Sequence, residues 1–258
     1  MKAVPAQRRG LAALALRETH RVLKIWTQTV AAPILSSFLF IVVFGLSLGD
    51  RIDAIDGVGY EVYIVPGLIT MAMVQAAYSN NASSIFQARF DRYINDVLAA
   101  PMRSWEVNVG LTLGGVIRAL LVGLGLLALS LLVTEVPVRE PLVLLAAVAL
   151  LVVLFGSLGI VVGIYAESFD HHMAVNTIAI LPLAFLGGVF YSIESLPSPW
   201  QELSLLNPLF HVVQAVRFGF LGISDVPVAM ALAVTAVLTL AVVAWSAYLF
   251  SSGRRLKA

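Results

Sequence analysis

Glu194, His211 and Arg217, with Glu202 between the first two, fall within "YSIESLPSPWQELSLLNPLFHVVQAVRFGFLG", a stretch that follows an apolar run and stays rich in Phe, Leu, Val and Trp. A carboxylate, an imidazole and a guanidinium so placed can handle protons, pair with one another, or hold a polar head group. A second group, Glu167, Asp170, His171 and His172 in "ESFDHHM", has metal-capable side chains but no helical i, i+4 histidine pair, and reads as a solvated turn. Asp50, Asp53 and Asp56 could approach a cation, yet three spaced carboxylates are too few for a hard-metal site, and a solvated loop is the expectation. Arg118 is the one formal charge well inside an apolar run, where a charge must pair, snorkel or meet water. The chain has no cysteine, so thiol chemistry, disulfides and sulfur-ligated clusters are excluded. It has no G-x-x-x-x-G-K-[ST] phosphate loop and no G-x-S-x-G elbow, so any use of ATP must come from another polypeptide.

The elements that must position these residues are membrane spans. Of 258 residues, 60% are hydrophobic and 12% charged, and the charges cluster between apolar runs of crossing length. A span of roughly 20 apolar residues is helical because lipid offers no partner to an unpaired backbone group. Six runs qualify, at 28 to 49, 62 to 82, 107 to 133, 142 to 166, 174 to 192 and 228 to 250. The expected fold is therefore an all-α membrane protein, one transmembrane domain over 1 to 258 with a segment 1 to 27, a core 28 to 250 and a tail 251 to 258. The basic start "MKAVPAQRR" lacks an obvious cleavage site after it, and the first span is read as retained.

Basic residues mark the cytoplasmic side. Lys2, Arg8, Arg9, Arg17, Arg21 and Lys24 precede the first span, Arg89, Arg92 and Arg103 lie between spans two and three, and Arg254, Arg255 and Lys257 close the chain. Only Arg51, Arg139 and Arg217 fall on the other side, so both termini are expected in the cytoplasm. Residues 11 to 26 place Leu11, Leu14, Ala15, Val22, Ile25 and Trp26 at helical spacing, with Arg17, Glu18, Arg21 and Lys24 elsewhere around the wheel: an amphipathic interfacial helix. In "IFQARFDRYINDVLAAPMRSWE", Phe86, Phe90, Tyr93, Val97 and Leu98 recur at the same spacing before Pro101, predicting a short helix across the cytoplasmic face. Gly45/Gly49, Gly110/Gly114 and Gly159/Gly163 offer small faces for close helix approach, within one chain or between two. Residues 193 to 227 then lie outside, and the pattern from Leu203 to Phe220 predicts one or two helical pieces dipping back toward the outer leaflet.

The order Gly187, Val189, Leu196, Pro197, Pro208, Leu209, His211 and Arg217, ending in P-L-x-H-x-x-x-x-x-R, resembles the signature of type-two permeases of ATP-binding-cassette exporters. "IVPGLI" in span two and "INDVLAAPM" before span three extend the likeness to the bacterial polysaccharide, nodulation-factor and drug-export branches. In that family "I-E-E-L-L-x-A-P" is a frequent form, and here Asn95 and Asp96 stand where it has two glutamates.

The resemblance implies a dimer of six-span permeases, its twin protomer identical, joined to two separate ATPase subunits that carry ATP and Mg; this chain would be no enzyme by itself and would bind no cofactor, metal or nucleic acid. It implies that Arg89, Phe90, Asp91, Arg92, Tyr93, Asp96, Leu98 and Pro101 lie in the segment that receives the ATPase stroke, with the first amphipathic helix against the same subunit. It implies an outer gate shaped by the re-entrant segment with Gly187, Gly188, Glu194, Pro197, Pro208, His211 and Arg217. The setting would be a bacterial-type inner membrane, and the cargo amphipathic, lipid-linked or drug-like. Spans one, two and five offer Phe38, Phe40, Phe44, Met71, Met73, Gln75, Tyr78, Phe185, Phe190 and Tyr191 as path lining. Two other readings stay open: an intramembrane transferase or hydrolase built on His211, Glu194 and Arg217, and a channel or secondary carrier built around Arg118.

Overall fold

The structure, a computed structural model, describes residues 6 to 49, 52, 54 to 253 and 256. The chain folds as α1 (Ala6–Lys24), α2 (Ala32–Leu48), α3 (Tyr60–Phe90), α4 (Ile94–Ala99), α5 (Ser104–Ser130), α6 (Pro141–Tyr165), α7 (Phe169–Val175), α8 (Leu181–Leu186), α9 (Ser198–Leu206), α10 (Pro208–Leu221) and α11 (Val228–Ser252). Among the described residues there is no strand, only an isolated bridge between Ile55 and Val58. Six helical runs are long and apolar enough to cross a membrane: Thr27–Gly45, Tyr60–Phe90, Ser104–Ser130, Pro141–Tyr165, Phe169–Leu186 and Val228–Ser252. Lys2, Asp50, Arg51, Asp53, Arg254, Arg255 and Lys257 lie outside the described residues.

Span two, built on α3, is the hub. Most of its residues are buried, and it packs against α2, α5, α6 and α10. Its few half-exposed positions beyond the first turn are Met71, Gln75, Ser79, Ser83 and Arg89, the first four of them spaced by four so that they line one stripe of the helix. The glycine pairs act inside the chain. Gly159 and Gly163 of α6 let it rest on the α3 backbone at Tyr78 and Ala82, while Gly110 and Gly114 of α5 seat Leu14 and Glu18 of α1. Gly45 of α2 accepts the Cβ of Glu61 beside it.

Two of the expected elements change shape. The helix that begins span two does not stop near residue 82 but runs on to Phe90, so Phe86 and Arg89 belong to its end, and only Ile94–Ala99 forms a separate short helix. The break falls at Arg92, whose φ of 62° takes the left-handed conformation. "ESFDHHM" is not a solvated turn throughout, because it begins span five. Ser168 caps α7 by accepting from the His171 amide at 3.1 Å, and His172 is buried between Phe86 and Phe169. Glu167, Asp170 and His171 remain exposed.

Spans one and five share a further feature. Each contains one π-helical turn, Thr27–Ala31 before α2 and Asn176–Ile180 before α8. Such wide turns displace backbone carbonyls from the regular ladder and are found at functional sites.

Candidate functional site

The two π-containing spans and span two enclose a cavity of about 460 Å³. Gln28, Ser36, Ser37 and Phe40 come from span one, Leu68, Met71, Gln75 and Ser79 from α3, Leu181 and Phe185 from α8, with Arg118 of α5 and Phe190 completing it. Met71, Gln75 and Ser79 of the half-exposed stripe on α3 form one wall, and Ser83 borders a separate side cavity. Phe40, Phe44, Phe185 and Phe190 make one aromatic cluster, with ring centroids 5.4 to 6.5 Å apart. Of the residues expected along a path, Met71, Gln75, Phe40, Phe185 and Phe190 line this cavity, whereas Phe38 and Phe44 pack partly buried against the core. Met73 and Tyr78 are buried, and the Tyr78 hydroxyl donates to the His172 carbonyl at 2.9 Å. Tyr191 sits apart, beside Ile52, Ile55 and Tyr60 in a shallower depression.

Arg118 is where the sequence placed an unexplained charge, and its surroundings are specific. Its Nε donates to the carbonyl of Thr29 at 2.9 Å, inside the π-helical turn. Thr29 is the third residue of its span, so the Arg118 head lies near the beginning of span one, not at its middle. A polar cluster adjoins it. Glu18 of α1 is fully buried and accepts from Arg17 at 2.7 Å, Arg21 at 3.3 Å and Ser84 at 2.8 Å, while Arg21 also donates to the Asn80 carbonyl at 2.7 Å. Asn81 continues the network to the Gly156 carbonyl at 3.0 Å, so α1, α3 and α6 are joined by polar contacts. The helix buries Leu14 and Val22 of its expected apolar face together with Glu18, whose carboxylate is held by three donors, while Ile25 and Trp26 are about half exposed.

At the opposite end of the cavity, α3 meets the segment after span five. Gly67, from "IVPGLI", lies against the backbone of Val189, so two of the motif pieces are in contact. Gly188 takes a φ of 73° that only glycine adopts freely, and its carbonyl accepts from Arg217 Nη2 at 2.6 Å. The Arg217 guanidinium is completely buried and stacks over the Tyr63 ring, its carbon 4.0 Å from the centroid. Asp225 fastens the same region, accepting from Ser192 Oγ at 3.0 Å, the Ile193 amide at 2.8 Å and Gln214 Nε2 at 3.0 Å. Helix α10, with Gly222 as its left-handed cap, is about 21 Å long, short of the roughly 30 Å of a hydrocarbon core.

Glu194, His211 and Arg217 are not brought together. Glu194 is exposed, His211 Nε2 lies 2.9 Å from the Leu205 carbonyl, and Arg217 faces Gly188 and Tyr63. Pro197 and Pro208 start α9 and α10, where a missing N–H costs nothing. Tyr63, Gln214 and Asp225, which fix this end, were not singled out from sequence; Gln214 one turn before Arg217 on a buried helix was the available signal. Among the described residues no group of three His, Cys, Asp or Glu is placed to hold a metal ion.

The segment around α4 divides cleanly. Ile94 is buried, and Tyr93, Val97 and Leu98 pack with it against Leu14, Val107 and Ile160, so α1, α4, α5 and α6 share one small core. Asp91, Arg92, Asp96, Pro101 and Phe90 are exposed, Phe90 at 76%. Arg89 points inward, donating to the Gly163 and Ala166 carbonyls at the end of α6. Burial lifts the Tyr93 phenol above its ordinary pKa, against the lowering pull of Arg17, whose guanidinium lies 4.9 Å from the ring.

Comparison with known proteins is consistent with this geometry. The pattern of the ABC-2 type transporter family matches residues 9 to 221. The chain is similar to the inner membrane transport permease YadH of Escherichia coli (strain K12), 40% identical over 243 residues, covering 93% of this chain and 94% of that protein. It is similar to Nodulation protein J of Rhizobium leguminosarum bv. viciae, 26% identical over 202 residues and 76% and 78% of the two chains, and to its counterpart in Sinorhizobium fredii (strain NBRC 101917 / NGR234), 26% identical over 197 residues, 74% of this chain and 75% of that protein. With six apolar spans and an amphipathic cavity among four of them, the chain belongs to the ABC-2 type transporter family and is a multi-pass membrane subunit of such a transporter.

Proposed function

We propose that two copies of this chain, each joined to a separate ATP-hydrolysing subunit, export an amphipathic, lipid-linked or drug-like molecule across an inner membrane. The cavity between spans one, two and five carries this reading: it is polar near the α1 end, aromatic near the Gly188 end, and open where Phe40 and Phe185 are about 40% exposed. ATP and Mg belong to the partner subunits, and both termini face the cytoplasm, on the side of α4. The exposed residues Phe90, Asp91, Arg92 and Asp96 receive the partner's movement, and the small core shared by α4, α1 and α5 passes it to the span ends. The Arg217–Gly188–Tyr63 contact closes the outer end until ATP binding favours the other exposure.

The test is co-purification from native membranes, followed by reconstitution with the ATPase found. The expected result is ATP-dependent loss of a labelled amphiphile from the inner leaflet, absent without either subunit. Processing of a lipid, or permeation, by the isolated chain would overturn the reading.

A further inference from the structure

Among the described residues no carboxylate pairs with Arg118. The arginine's bond to the Thr29 carbonyl uses one of its five N–H donors. Glu18, the buried carboxylate at this end, is already shared by Arg17 and Arg21. A second guanidinium, Arg21, borders with Arg118 a side cavity of about 190 Å³, which raises the positive potential further. A cation in an apolar span without a counter-charge is costly, and an anion on its free donors would recover that cost.

The rest of the cavity is graded. From Gln28 to Phe40 span one rises about 18 Å, and α3 runs the opposite way from Ser79 to Leu68, so Gln28, Ser79 and Arg118 share one end and Phe40, Leu68 and Phe190 the other. Gln75 and Ser36 lie between. Donors surround the charge, and an aromatic wall begins where they stop.

We propose that this cavity binds an amphiphile by an anionic oxyacid head, phosphate or carboxylate, seated on Arg118 with Gln28 and Gln75 around it and its apolar body along Phe40, Phe185 and Phe190. A guanidinium matches such a head through paired N–H groups. The inference rests on reading the cavity as the cargo path and gives that cargo a charge. Sodium dodecyl phosphate, dodecanol and inorganic phosphate separate the possible sources of binding.

The chain has no cysteine, so Ser79→Cys supplies a single reporter at the charged end. In the permease–ATPase complex in phosphatidylcholine nanodiscs, maleimide labelling of Ser79→Cys is measured with each probe, together with ATP hydrolysis. Dodecyl phosphate is expected to protect at about tenfold lower concentration than dodecanol, the scale of one charge-assisted hydrogen bond, and Arg118→Gln to abolish the difference while Arg118→Lys keeps part of it. Equal protection by dodecyl phosphate and dodecanol overturns the proposal, and this comparison needs no change at Arg118 and survives a misfolded variant. Protection by inorganic phosphate as strong as by dodecyl phosphate overturns it too, since the apolar body would then contribute nothing. A complex in which the permease alters ATP hydrolysis, yet shows no preference for the phosphate head, defeats this inference alone; a permease without effect on ATP hydrolysis defeats the transport reading.

Discussion

Two arginines in apolar surroundings are treated differently by the fold. Arg217 is enclosed by a carbonyl and a tyrosine face: Nη2 donates to Gly188, while Nε and Nη1 are buried with no hydrogen-bond partner among the described residues. Replacing it with alanine removes a charged hydrogen bond and a desolvated cation–π contact, together about 3 kcal/mol. A lower melting temperature of the detergent-solubilised chain is the expected outcome. Arg217→Lys keeps the charge but not the planar face and should fall between, since an ammonium cannot stack on Tyr63 and reach Gly188 in the same geometry. Equal melting of Arg217→Lys and the parent would show that stacking contributes nothing. Glu18 tests the other end. Glu18→Ala removes the acceptor shared by Arg17, Arg21 and Ser84; because both arginines stay partly exposed and Arg21 keeps the Asn80 carbonyl, the cost is about 1–2 kcal/mol. The loss should be local, read as faster amide exchange across α1 with little change in α6. The sequence pointed to Arg217 and Arg118 because charges are rare in apolar runs. It placed Glu18 on the solvated side, since helical spacing counts a carboxylate as polar and cannot see three donors waiting on α3 and α1.

Among the elements, the spans were legible to within a few residues, because twenty apolar residues in lipid have few alternatives to a helix. What escaped was where helices continue past the membrane. Nothing in the apolar pattern says that span two extends to Phe90, since that extension is held by tertiary contacts: Phe86 stacks with His172, and Arg89 reaches the end of α6. The glycine pairs were visible as small faces but not their partners. Gly114→Val would bring a side chain onto Glu18, whose Cβ lies 2.7 Å from the position of an added Cβ, and should detach α1 at a cost of about 1–3 kcal/mol. Protection of α1 from proteolysis measures it. Around α4, reversing the charges of Asp91, Arg92 and Asp96 together should lower coupled ATP hydrolysis several-fold with membrane insertion unchanged, because all three are exposed. Unaltered coupling would remove α4 from the contact with the ATPase.

Across the whole molecule, burial is uneven. In spans one, five and six only 17% of residues in the apolar window are buried, against 78% in span two, so one hub is wrapped by spans whose outer sides need lipid or another chain. Leu35, Leu39 and Val43 of α2 and Ile178 of span five are exposed on such sides. Leu39→Cys should therefore form a disulfide-linked pair in native membranes on mild oxidation, a clean readout in a chain free of other thiols. Absence of the pair, with Val43→Cys and Ile178→Cys equally silent, would argue against a twin at this face. Neither the pairing surface nor the cavity is a property of one helix, and so neither was readable from spacing.

The π-helical turn Thr27–Ala31 has a mechanical meaning. One residue added to a helix rotates the downstream turns by about 100° about the axis. The docked arm Leu14–Val22 and the phenylalanine-bearing rod beyond it are thereby set at different azimuths on one nearly continuous shaft, with Arg118 gripping the joint at Thr29. A rotation of the arm about that axis would reach Phe40 as a twist, so the chamber's bore would change without any span sliding through the bilayer.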